Sequence, residues 1–444
     1  MPSPLKLLVA TLGSLLLVVG LASPAPARPA KASTPYIVAS SPHTLTLKWT
    51  PVAKARGYTV FVASSPAKAR KTKQQTRQSR GRHTTLKIRD LRPHRRYCFT
   101  VRAVRGGDKG PRSEPVCGHT LRRSIDKAAP TVSVVTFNVC AYAENCKRWT
   151  AQREDAIIQR IVDANADVVA LQEVTGRADE LAARLREHGY ASYTARLNKR
   201  NEAVYYRMSA LEMAVTTETA TACVVEPYTG LDDTTAWRFP RHFDEPTQQW
   251  YSFDTSGWVT EQKVCRDRQL PVEQEGRISS PTGATAAWAA LRLRSNGQMY
   301  MFVSAHLTHG ATKAAARLRG RETRQLIART EAAAGSMPIV YMGDFNSYRG
   351  GPGNDPPRRE MAKQGWVDAF DASATYSRPN VSSFNGWRPK VQSMKYWGGH
   401  IDRIFVRATM GSTGWRIVAP TKNRRYVGVK ASDHNPVRTT IVLS

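Results

Sequence analysis

Between residues 132 and 443, six apolar runs end on, or lie beside, polar side chains of the kinds that bind cations or move protons. The clearest is VYMGDFN, in which an apolar run stops at Gly343 and is followed by Asp344 and Asn346. Residues two apart on a strand face the same side, so these two side chains are predicted to share one space. A plain turn is the alternative, because Gly, Asp and Asn all favour turns. The recurrence of the pattern along the chain favours a site.

The other five runs carry side chains with the same chemistry. Taken alone, each is better explained as a turn cap, an exposed strand end or a structural histidine. Together they indicate that several strand ends meet at one site. The runs and the residues they carry are VSVVTFNV with Asn138, ADVVALQEV with Glu173, MYMFVSAHLTH with His306, HIDRIFV with Asp402, and ASDHNPV with Asp433 and His434.

Helical patterns separate these runs, which predicts an α/β domain over residues 132–444. Isoleucines such as Ile157 and Ile161 recur at helical spacing in WTAQREDAIIQRIVDANA. RADELAARLREHGY and the alanine-rich residues 311–334 are predicted to be two further helices. Residues 224–280 are polar with scattered aromatics, and they are predicted to be a long loop insertion.

The first part of the chain has a different pattern. Residues 36–120 contain short alternating segments such as TLTLKW and GYTVFVA, with turn residues between them, which predicts an all-β sandwich. Trp49, Tyr58 and the segment LRPHRRYCFTVRAV also resemble a fibronectin type III domain. Residues 28–35 and 121–131 are predicted to be linkers on either side of it.

The first 27 residues have the pattern of a secretory signal peptide. Lys6 precedes an apolar stretch, Leu7 to Leu21, and Ala25 and Ala27 form a small-x-small motif. An uncleaved membrane anchor is the alternative, but the stretch is short for a spanning helix, which favours cleavage after Ala27. The mature protein is therefore predicted to be secreted, with no transmembrane segment.

The cysteines agree with export. An even number of cysteines in an exported chain indicates disulfides, and none of these has zinc-site spacing. Pairing of neighbours in sequence is the simplest hypothesis, although six cysteines allow about fifteen arrangements. The hypothetical pairs are Cys98 with Cys117, Cys140 with Cys146, and Cys223 with Cys265.

Positive charge is concentrated in the first domain. Residues 31–120 hold 20 Lys and Arg against 3 Asp and Glu, a net charge of +17, out of +31 for the chain. Such a field favours a polyanionic partner, either nucleic acid or an anionic cell-surface polymer. The alternative is that this positive charge only keeps the protein soluble. The segment from Lys68 to Arg82 is the predicted contact and is predicted to be a loop.

The motifs TFNV, LQEV, SAHL, GDFN, IDRIF and SDHNPV, in this order, resemble the endonuclease/exonuclease/phosphatase family, which has the deoxyribonuclease I-like fold. The resemblance extends over the predicted α/β domain. It implies an α/β four-layer sandwich, with two packed mixed sheets flanked by helices and a site where strand ends meet. With the fibronectin type III-like domain before it, the protein is predicted to be multidomain.

The resemblance also implies roles. His434 would be the general base, held by Asp402, and Asp344 would orient the attacking water. Asn346 would donate a hydrogen bond to the phosphoryl oxygen, and His306 would protonate the leaving oxygen or bind the phosphate.

On the metal side, the resemblance implies that Glu173, with Asn138 nearby, and Asp433 hold Mg²⁺, with Mn²⁺ or Ca²⁺ as alternatives. Glu202, in RNEAVYYR, is a candidate for orienting His306, and Arg207 is a candidate phosphate contact. A plain edge-strand glutamate and a surface arginine are the alternatives for these two residues.

The leading hypothesis is a secreted, metal-dependent phosphodiesterase that hydrolyses DNA or RNA. One alternative is the same site acting on a phospholipid, as in sphingomyelinases, or on another phosphoester. A second alternative, from a different class, is a polyanion-binding protein with an inactive hydrolase domain. Two histidines and four carboxylates in motif positions count against an inactive domain. The sequence does not distinguish endo from exo cleavage, and it does not give the oligomeric state.

Overall fold

A computed structural model describes residues 28–443, except for residues 74, 81–82, 142–145, 195–200, 215–218, 228–240, 245–248, 255–256, 270–274, 278–283 and 395. For residues 75–78, 80, 193–194 and the strands between 219 and 277, it describes the backbone alone. The predicted signal peptide, residues 1–27, lies outside the described residues. In the described part, no helix is long and apolar enough to cross a membrane.

The first domain is the predicted all-β sandwich. Its elements are β1 (Tyr36–Ser40), β2 (Leu45–Lys48), β3 (Gly57–Ala63), α1 (Pro66–Lys71), β4 (Gln75–Arg80), β5 (Thr85–Ile88), β6 (Arg96–Arg105), β7 (Asp108–Arg112) and β8 (Val116–His119). One sheet has the order β1-β2-β5, and the other has the order β4-β3-β6-β7, with β8 also paired to β6. The buried core between them includes Trp49 and Tyr58, whose ring centroids lie 5.2 Å apart.

Two details of this domain bear on the predictions. The disulfide Cys98–Cys117 forms between register partners on β6 and β8, as predicted. The predicted loop from Lys68 to Arg82 is wrong, because this segment contains α1 and β4, and β4 pairs with β3. The hydroxyl of Ser65 accepts a hydrogen bond from the Lys68 amide and caps α1, a local signal that the strand-and-turn interpretation missed.

The second domain contains the remaining elements. In chain order they are β9 (Thr131–Asn138), α2 (Ala151–Ala164), β10 (Val168–Gln172), α3 (Ala178–Glu187), β11 (Tyr190–Thr194), β12 (Glu202–Arg207), β13 (Leu211–Met213), β14 (Thr219–Pro227), β15 (Arg241–Asp244), β16 (Gln249–Asp254), β17 (Gly257–Gln269), β18 (Glu275–Arg277), β19 (Thr285–Leu293), β20 (Met299–His306), α4 (Lys313–Ala334), β21 (Ile339–Asp344), α5 (Pro356–Lys363), β22 (Trp366–Asp368), β23 (Tyr376–Ser377), β24 (Asp402–Arg407), β25 (Gly411–Ile417), β26 (Thr421–Lys422), β27 (Arg425–Tyr426) and β28 (Val437–Val442).

These elements form the predicted four layers. One sheet has the order β11-β12-β10-β9-β28-β25-β23, and the other has the order β13-β19-β20-β21-β24-β22, with β18 paired to β19. One apolar cluster fills the space between the sheets, while two others lie under α2 and α3 and under α4. The three predicted helices are all present. Each buries its apolar side against a sheet.

Gly343 does not begin the plain turn that is the alternative interpretation of this segment. The strand β21 continues through Gly343 to Asp344 and pairs in parallel with β20. A Cβ atom at Gly343 would lie 2.0 Å from the carbonyl oxygen of Ala305, its register partner. Glycine is therefore needed for the close approach of the two strands.

The predicted loop over residues 224–280 is also wrong. The strands β14, β17, β16 and β15 form a four-stranded antiparallel sheet in this order. The backbone register places Cys223 opposite Cys265, in agreement with the hypothetical pairing, but their side chains lie outside the described part. Alternation is weak here, and polar residues on both faces hide strands from a pattern search.

The two domains are in contact. The Ser40 amide donates a hydrogen bond of 2.9 Å to the carbonyl of Ala374. Trp397 and Tyr376 pack against the core clusters of both domains. A cavity of about 400 Å³ lies at this junction, lined by residues 119–126 and by residues of the second domain, away from the polar strand ends.

Candidate active site

Strand register explains why distant residues meet at one end of the sandwich. In the first sheet, Gln172 pairs with both Asn138 and Glu202, and Glu173 follows directly. In the second sheet, Asp344 pairs with His306 on one side and with Asp402 on the other. Asp433 and His434 directly precede β28, which pairs with β9. The two rows face each other across a cleft of about 670 Å³.

Asp344 lies at the centre of the site. Its Oδ2 atom is 3.7 Å from Nε2 of His306 and 3.7 Å from Nε2 of His434. Its Oδ1 atom accepts a hydrogen bond from the Asn346 amide, and Asn346 has a left-handed φ of 47°. This backbone conformation turns the Asn346 amide group towards His306, with Nδ2 at 3.3 Å from Nε2. The predicted sharing of one space by Asp344 and Asn346 is present in this geometry.

Glu173 and Asp433 supply an acidic side to the cleft. Glu173 has a φ of 55°, an uncommon conformation for glutamate, and its Oε1 atom is 3.7 Å from Nε2 of His306. Burial raises the pKa of Asp433. Asn138 donates from Nδ2 to Glu173 Oε1 at 2.8 Å, and its Oδ1 accepts from the Cys140 amide. In this arrangement Asn138 orients a carboxylate and does not offer an oxygen atom to the cleft.

The carboxylates fit a divalent cation in their chemistry. Hard cations such as Mg²⁺ prefer oxygen ligands, and Glu173, Asp344 and Asp433 all line the cleft. Asp344, Asp402 and His434 also lie close enough for their ligand atoms to fall within 4.8 Å of one another. The donor set that lines the cleft therefore suits a divalent cation.

His434 and Asp402 form a buried pair. Nδ1 of His434 lies 2.9 Å from Oδ1 of Asp402, and both side chains are buried. Burial disfavours a charged imidazole, but the carboxylates of Asp402 and Asp344 outweigh this effect and raise the pKa of His434. Burial also raises the pKa of Asp402. The pair leaves Nε2 of His434 directed to the cleft, the geometry of an oriented acid–base group.

Glu202 lies behind the site. It is 1% exposed, and it accepts hydrogen bonds from Thr285 and from Nδ2 of Asn201. Thr285 is the register partner of His306, so Glu202 is one layer removed from that histidine. Burial raises the pKa of Glu202 to about 7, although the charge of His306 acts in the opposite direction.

We expect Glu202→Gln to stabilise the protein above neutral pH. The carboxyl has a pKa of about 7 in the folded chain, against 4.5 normally, so the folded state keeps a proton that the unfolded chain releases. The free energy of unfolding therefore falls as pH rises through this window. Glutamine does not titrate, so the substitution removes this loss. It should raise the free energy of unfolding by about 3 kcal/mol at pH 8 and change it little at pH 4.5. Urea unfolding of the wild type and the variant, with chelator present and at both pH values, measures this difference in free energy of unfolding.

The exposed Glu187 provides the matched control, since Glu187→Gln should change stability equally little at both pH values. An equal effect of Glu202→Gln at both pH values would contradict the raised pKa. A loss of turnover in this stabilised variant would separate a positioning role for Glu202 from a structural one.

Arg207 is not in the site. Glu202 begins β12 and Arg207 ends it, which separates them by roughly 16 Å at the rise of a strand. Arg207 donates to Asn165 Oδ1 at 2.8 Å and to the Tyr190 hydroxyl at 2.7 Å. The hypothesis of a phosphate contact is therefore wrong, and the arginine has a structural role at the other end of the sheet.

Two features beside the acidic cluster are not evident from the sequence: the position of a disulfide against Glu173, and a buried arginine. The disulfide Cys140–Cys146, predicted as a pair, places Sγ of Cys146 3.6 Å from Oε2 of Glu173. Arg153 is 3% exposed and donates to the carbonyls of Val139, Cys140, Lys147 and Ala431, which joins the segments that follow β9 and precede β28. A signal existed for Arg153, because it lies on the apolar face of α2, four residues before Ile157.

Sequence reasoning also missed one wall of the cleft, which is formed by Tyr348, Phe384, Met394, Tyr396 and Ile401. These residues come from loops without a regular period, so no hydrophobic pattern indicates them.

Fold and site together define a phosphoester hydrolase built on a four-layer α/β sandwich. A family model described as the Endonuclease/Exonuclease/phosphatase family matches residues 135–434, and a fibronectin type III model matches residues 33–118. The chain belongs to the endonuclease/exonuclease/phosphatase family, with a fibronectin type III domain before the hydrolase domain. No curated protein matches the chain.

Several solved structures are similar to the second domain. An endonuclease/exonuclease/phosphatase family protein from Bacteroides thetaiotaomicron has 16% identity and a TM-score of 0.45, covering 71% of this chain and 99% of its own. A mannosyl-6-phosphatase from the same organism has 15% identity and a TM-score of 0.44, covering 70% and 100%. The human Nocturnin catalytic domain has 14% identity and a TM-score of 0.43, covering 70% and 93%.

Proposed function

We propose that this protein is an exported, divalent-metal-dependent phosphodiesterase that hydrolyses nucleic acid. The observation that carries the proposal is the pair of histidines on either side of Asp344, each with Nε2 at 3.7 Å from its Oδ2 atom. Two such groups can serve the two ends of a displacement at phosphorus, one taking a proton from water and the other giving a proton to the leaving oxygen. The disulfides Cys98–Cys117 and Cys140–Cys146 support an oxidising compartment.

In this proposal His434 is the general base. Asp402 holds its Nδ1 atom, and the negative charge of Asp402 and Asp344 stabilises the imidazolium that forms on proton transfer. His306 is the general acid, and Asn346 is the neutral donor to a phosphoryl oxygen, because its amide group is already within 3.3 Å of His306. Asp344 orients the attacking water between the two histidines.

Glu173 and Asp433 would hold the cation, with Mg²⁺ as the proposed ion. When bound, a divalent cation neutralises charge that develops on the phosphoryl oxygens. Asn138 positions Glu173 through its hydrogen bond of 2.8 Å. The net charge of +31 supports a polyanionic substrate over a zwitterionic phospholipid.

The test is a substrate comparison with purified protein. Plasmid DNA, single-stranded DNA, an RNA transcript and phospholipid vesicles containing sphingomyelin are each incubated with Mg²⁺ and, separately, with chelator. Hydrolysis of a nucleic acid that stops with chelator supports the proposal. Hydrolysis of the vesicles alone would support the alternative that the site acts on a phospholipid. No hydrolysis of any substrate would favour the alternative of a polyanion-binding protein with an inactive hydrolase domain.

Changing Glu173 to Gln should weaken the binding of the metal ion. The change removes one charge from the acidic side but little volume, so we expect the Mg²⁺ concentration for half-maximal activity to rise about tenfold or more. Direct Mn²⁺ binding, followed by electron paramagnetic resonance, provides a readout that does not require turnover.

The exposed Glu187 again gives the control. Glu187→Gln should change neither the Mg²⁺ dependence of activity nor the affinity for Mn²⁺. Metal binding by Glu173→Gln at the wild-type affinity would remove Glu173 from the proposed ligand set.

We further propose that the fibronectin type III domain binds the polyanion. Its net charge of +17 favours association through release of counterions. Deletion of the domain is a poor test, because Trp397 and Tyr376 pack against its core and would be uncovered. Point changes on the exposed Lys68, Lys71 and Lys73 avoid this problem.

Changing these three lysines to glutamine should therefore lower the salt dependence of DNA binding. The slope of log affinity against log salt should fall by about 0.9 for each phosphate that the variant no longer neutralises, with turnover number unchanged. Binding titrations from low to physiological salt measure it, and the matching Lys→Arg triple variant should behave like wild type. An unchanged slope would remove this surface as the binding site for the polyanion.

A further inference from the structure

Three exposed aromatic side chains, Tyr348, Phe384 and Tyr396, line the cleft that holds the histidines and form its aromatic wall. Tyr348, Phe384 and Tyr396 are 38%, 42% and 40% exposed, and all three line the cleft. In the described part of the chain, the other large hydrophobic side chains that are equally exposed are Met208, Val427 and Val429, and none of these lines the cleft. Exposed aromatic area at a cleft is a feature of binding surfaces.

Each of these rings packs against a glycine. A Cβ atom at Gly350 would lie 2.8 Å from the ring of Tyr396, and one at Gly351 would lie 2.9 Å from the ring of Tyr348. Gly386 has the same relation to Phe384, at 3.2 Å. The absence of a side chain at these positions therefore lets each ring lie directly against the backbone, which helps to hold the ring in place.

The wall is next to the proposed reaction centre. The ring centroid of Phe384 lies 5.1 Å from that of His434, at an interplanar angle of 68°. Phe384 and His434 are also bridged through their backbones. A planar group that stacks on this wall would thus belong to the part of the substrate that adjoins the phosphate.

The wall also carries a positive charge. Arg388 is exposed, lines the cleft and donates from Nη1 to Gln392 Oε1 at 3.1 Å. A guanidinium here suits a neighbouring phosphate and repels the quaternary ammonium of a choline headgroup, which would otherwise be a good ligand for aromatic rings. The combination of aromatic faces and a cation is the pattern that binds bases and backbone of single strands.

We propose that Tyr348, Phe384 and Tyr396 form a base-stacking subsite, and that the enzyme consequently acts on single-stranded nucleic acid. This inference rests on the proposed function. In a duplex the base faces are covered by their neighbours, so a wall that binds faces cannot reach them without unstacking the substrate. Unpaired bases beside the scissile phosphate present those faces directly.

The test uses an oligonucleotide with one cleavable phosphodiester and phosphorothioates elsewhere. It is offered to the full chain with Mg²⁺ in three forms: single-stranded with bases on both sides of the cleavable bond, the same strand in a duplex, and single-stranded with abasic sites on both sides. We expect kcat/KM for the first form to exceed the others by about tenfold or more, as stacking on aromatic side chains suggests.

Variants then assign the effect to the wall. Phe384→Leu and Tyr396→Leu should each lower kcat/KM for the base-bearing strand about tenfold more than kcat/KM for the abasic strand. Tyr396→Phe, which keeps the ring, should retain the preference. Val429→Ala, a change at an exposed apolar residue outside the cleft, is the control.

Equal rates for base-bearing and abasic strands, or for single strand and duplex, would overturn the subsite and leave the proposed function standing. An equal loss on both strands in the leucine variants would also overturn it, because the rings would then serve folding or chemistry in general. Hydrolysis of sphingomyelin vesicles without hydrolysis of any strand would overturn the proposed function itself.

Discussion

Changing His434 to alanine is expected to lower turnover by two orders of magnitude or more while the chain stays folded. The expectation follows from its Nε2 atom, which lies 3.7 Å from Asp344 at the cleft, and from its Nδ1 atom, which Asp402 holds at 2.9 Å. Loss of a general base has effects of this size. KM should change much less than kcat, because the imidazole acts in proton transfer and is not the main contact with a polymeric substrate.

The measurement is steady-state hydrolysis with and without added imidazole. Imidazole can enter the space left by the side chain and should restore part of the activity, which a purely structural role would not allow. His188→Ala, a change at an exposed histidine on the end of α3, should keep full turnover. Near-wild-type turnover of folded His434→Ala would exclude the proposed base.

The candidate site residues could be predicted from the sequence because that information is local. Each polar residue lies at the end of a short apolar run or beside it, which is the terminus of a buried strand. Asp344 and Asn346 illustrate both the strength and the limit of this reasoning. Their proximity was predicted from a spacing of two, but the left-handed backbone at Asn346 and the close approach at Gly343 depend on β20, which is distant in sequence.

Other features depended on long-range packing that no local pattern carries. Arg207 was misplaced because a residue's position along a strand, and not only its face, decides which end of the sheet it reaches. The aromatic wall comes from irregular loops, and its members are identified by exposure, a property of the folded chain. The sheet of β14 to β17 was missed because its strands lack a clear alternation of apolar and polar residues.

One buried ion cluster that supports the site could not be predicted at all. Arg403 follows Asp402 on β24 and is 2% exposed. Its Nη1 atom donates to Asp355 Oδ2 at 2.6 Å, and its Nε atom donates to Asp368 Oδ2 at 2.9 Å. Asp355 and Asp368 are themselves buried, so the arginine joins β24 to the start of α5 and to β22. In the sequence, the three charges look like ordinary surface residues.

Arg403→Met should therefore lower the free energy of unfolding by about 3–5 kcal/mol, because it leaves two buried carboxylates without their main cation. Arg358, whose Nε atom is 3.3 Å from Asp355, compensates only one of them in part. The exposed pair of Arg177 and Glu180 gives the control, and Arg177→Met should cost less than about 1 kcal/mol. Urea unfolding followed by tryptophan fluorescence measures both variants.

A third variant separates the effect of unpaired charges from that of poorer packing. If the carboxylates cause the loss of stability, adding Asp355→Asn and Asp368→Asn to Arg403→Met should recover most of it, since amides can be buried at much lower cost than unpaired charges. No recovery would mean that the side chain of Arg403 acts mainly through packing, including its position over the ring of Phe405 at 5.0 Å. A decrease below about 1 kcal/mol in Arg403→Met alone would contradict the buried cluster. Arg403 directly follows Asp402, which holds His434, so Arg403→Met should also lower turnover. The triple variant should recover turnover together with stability.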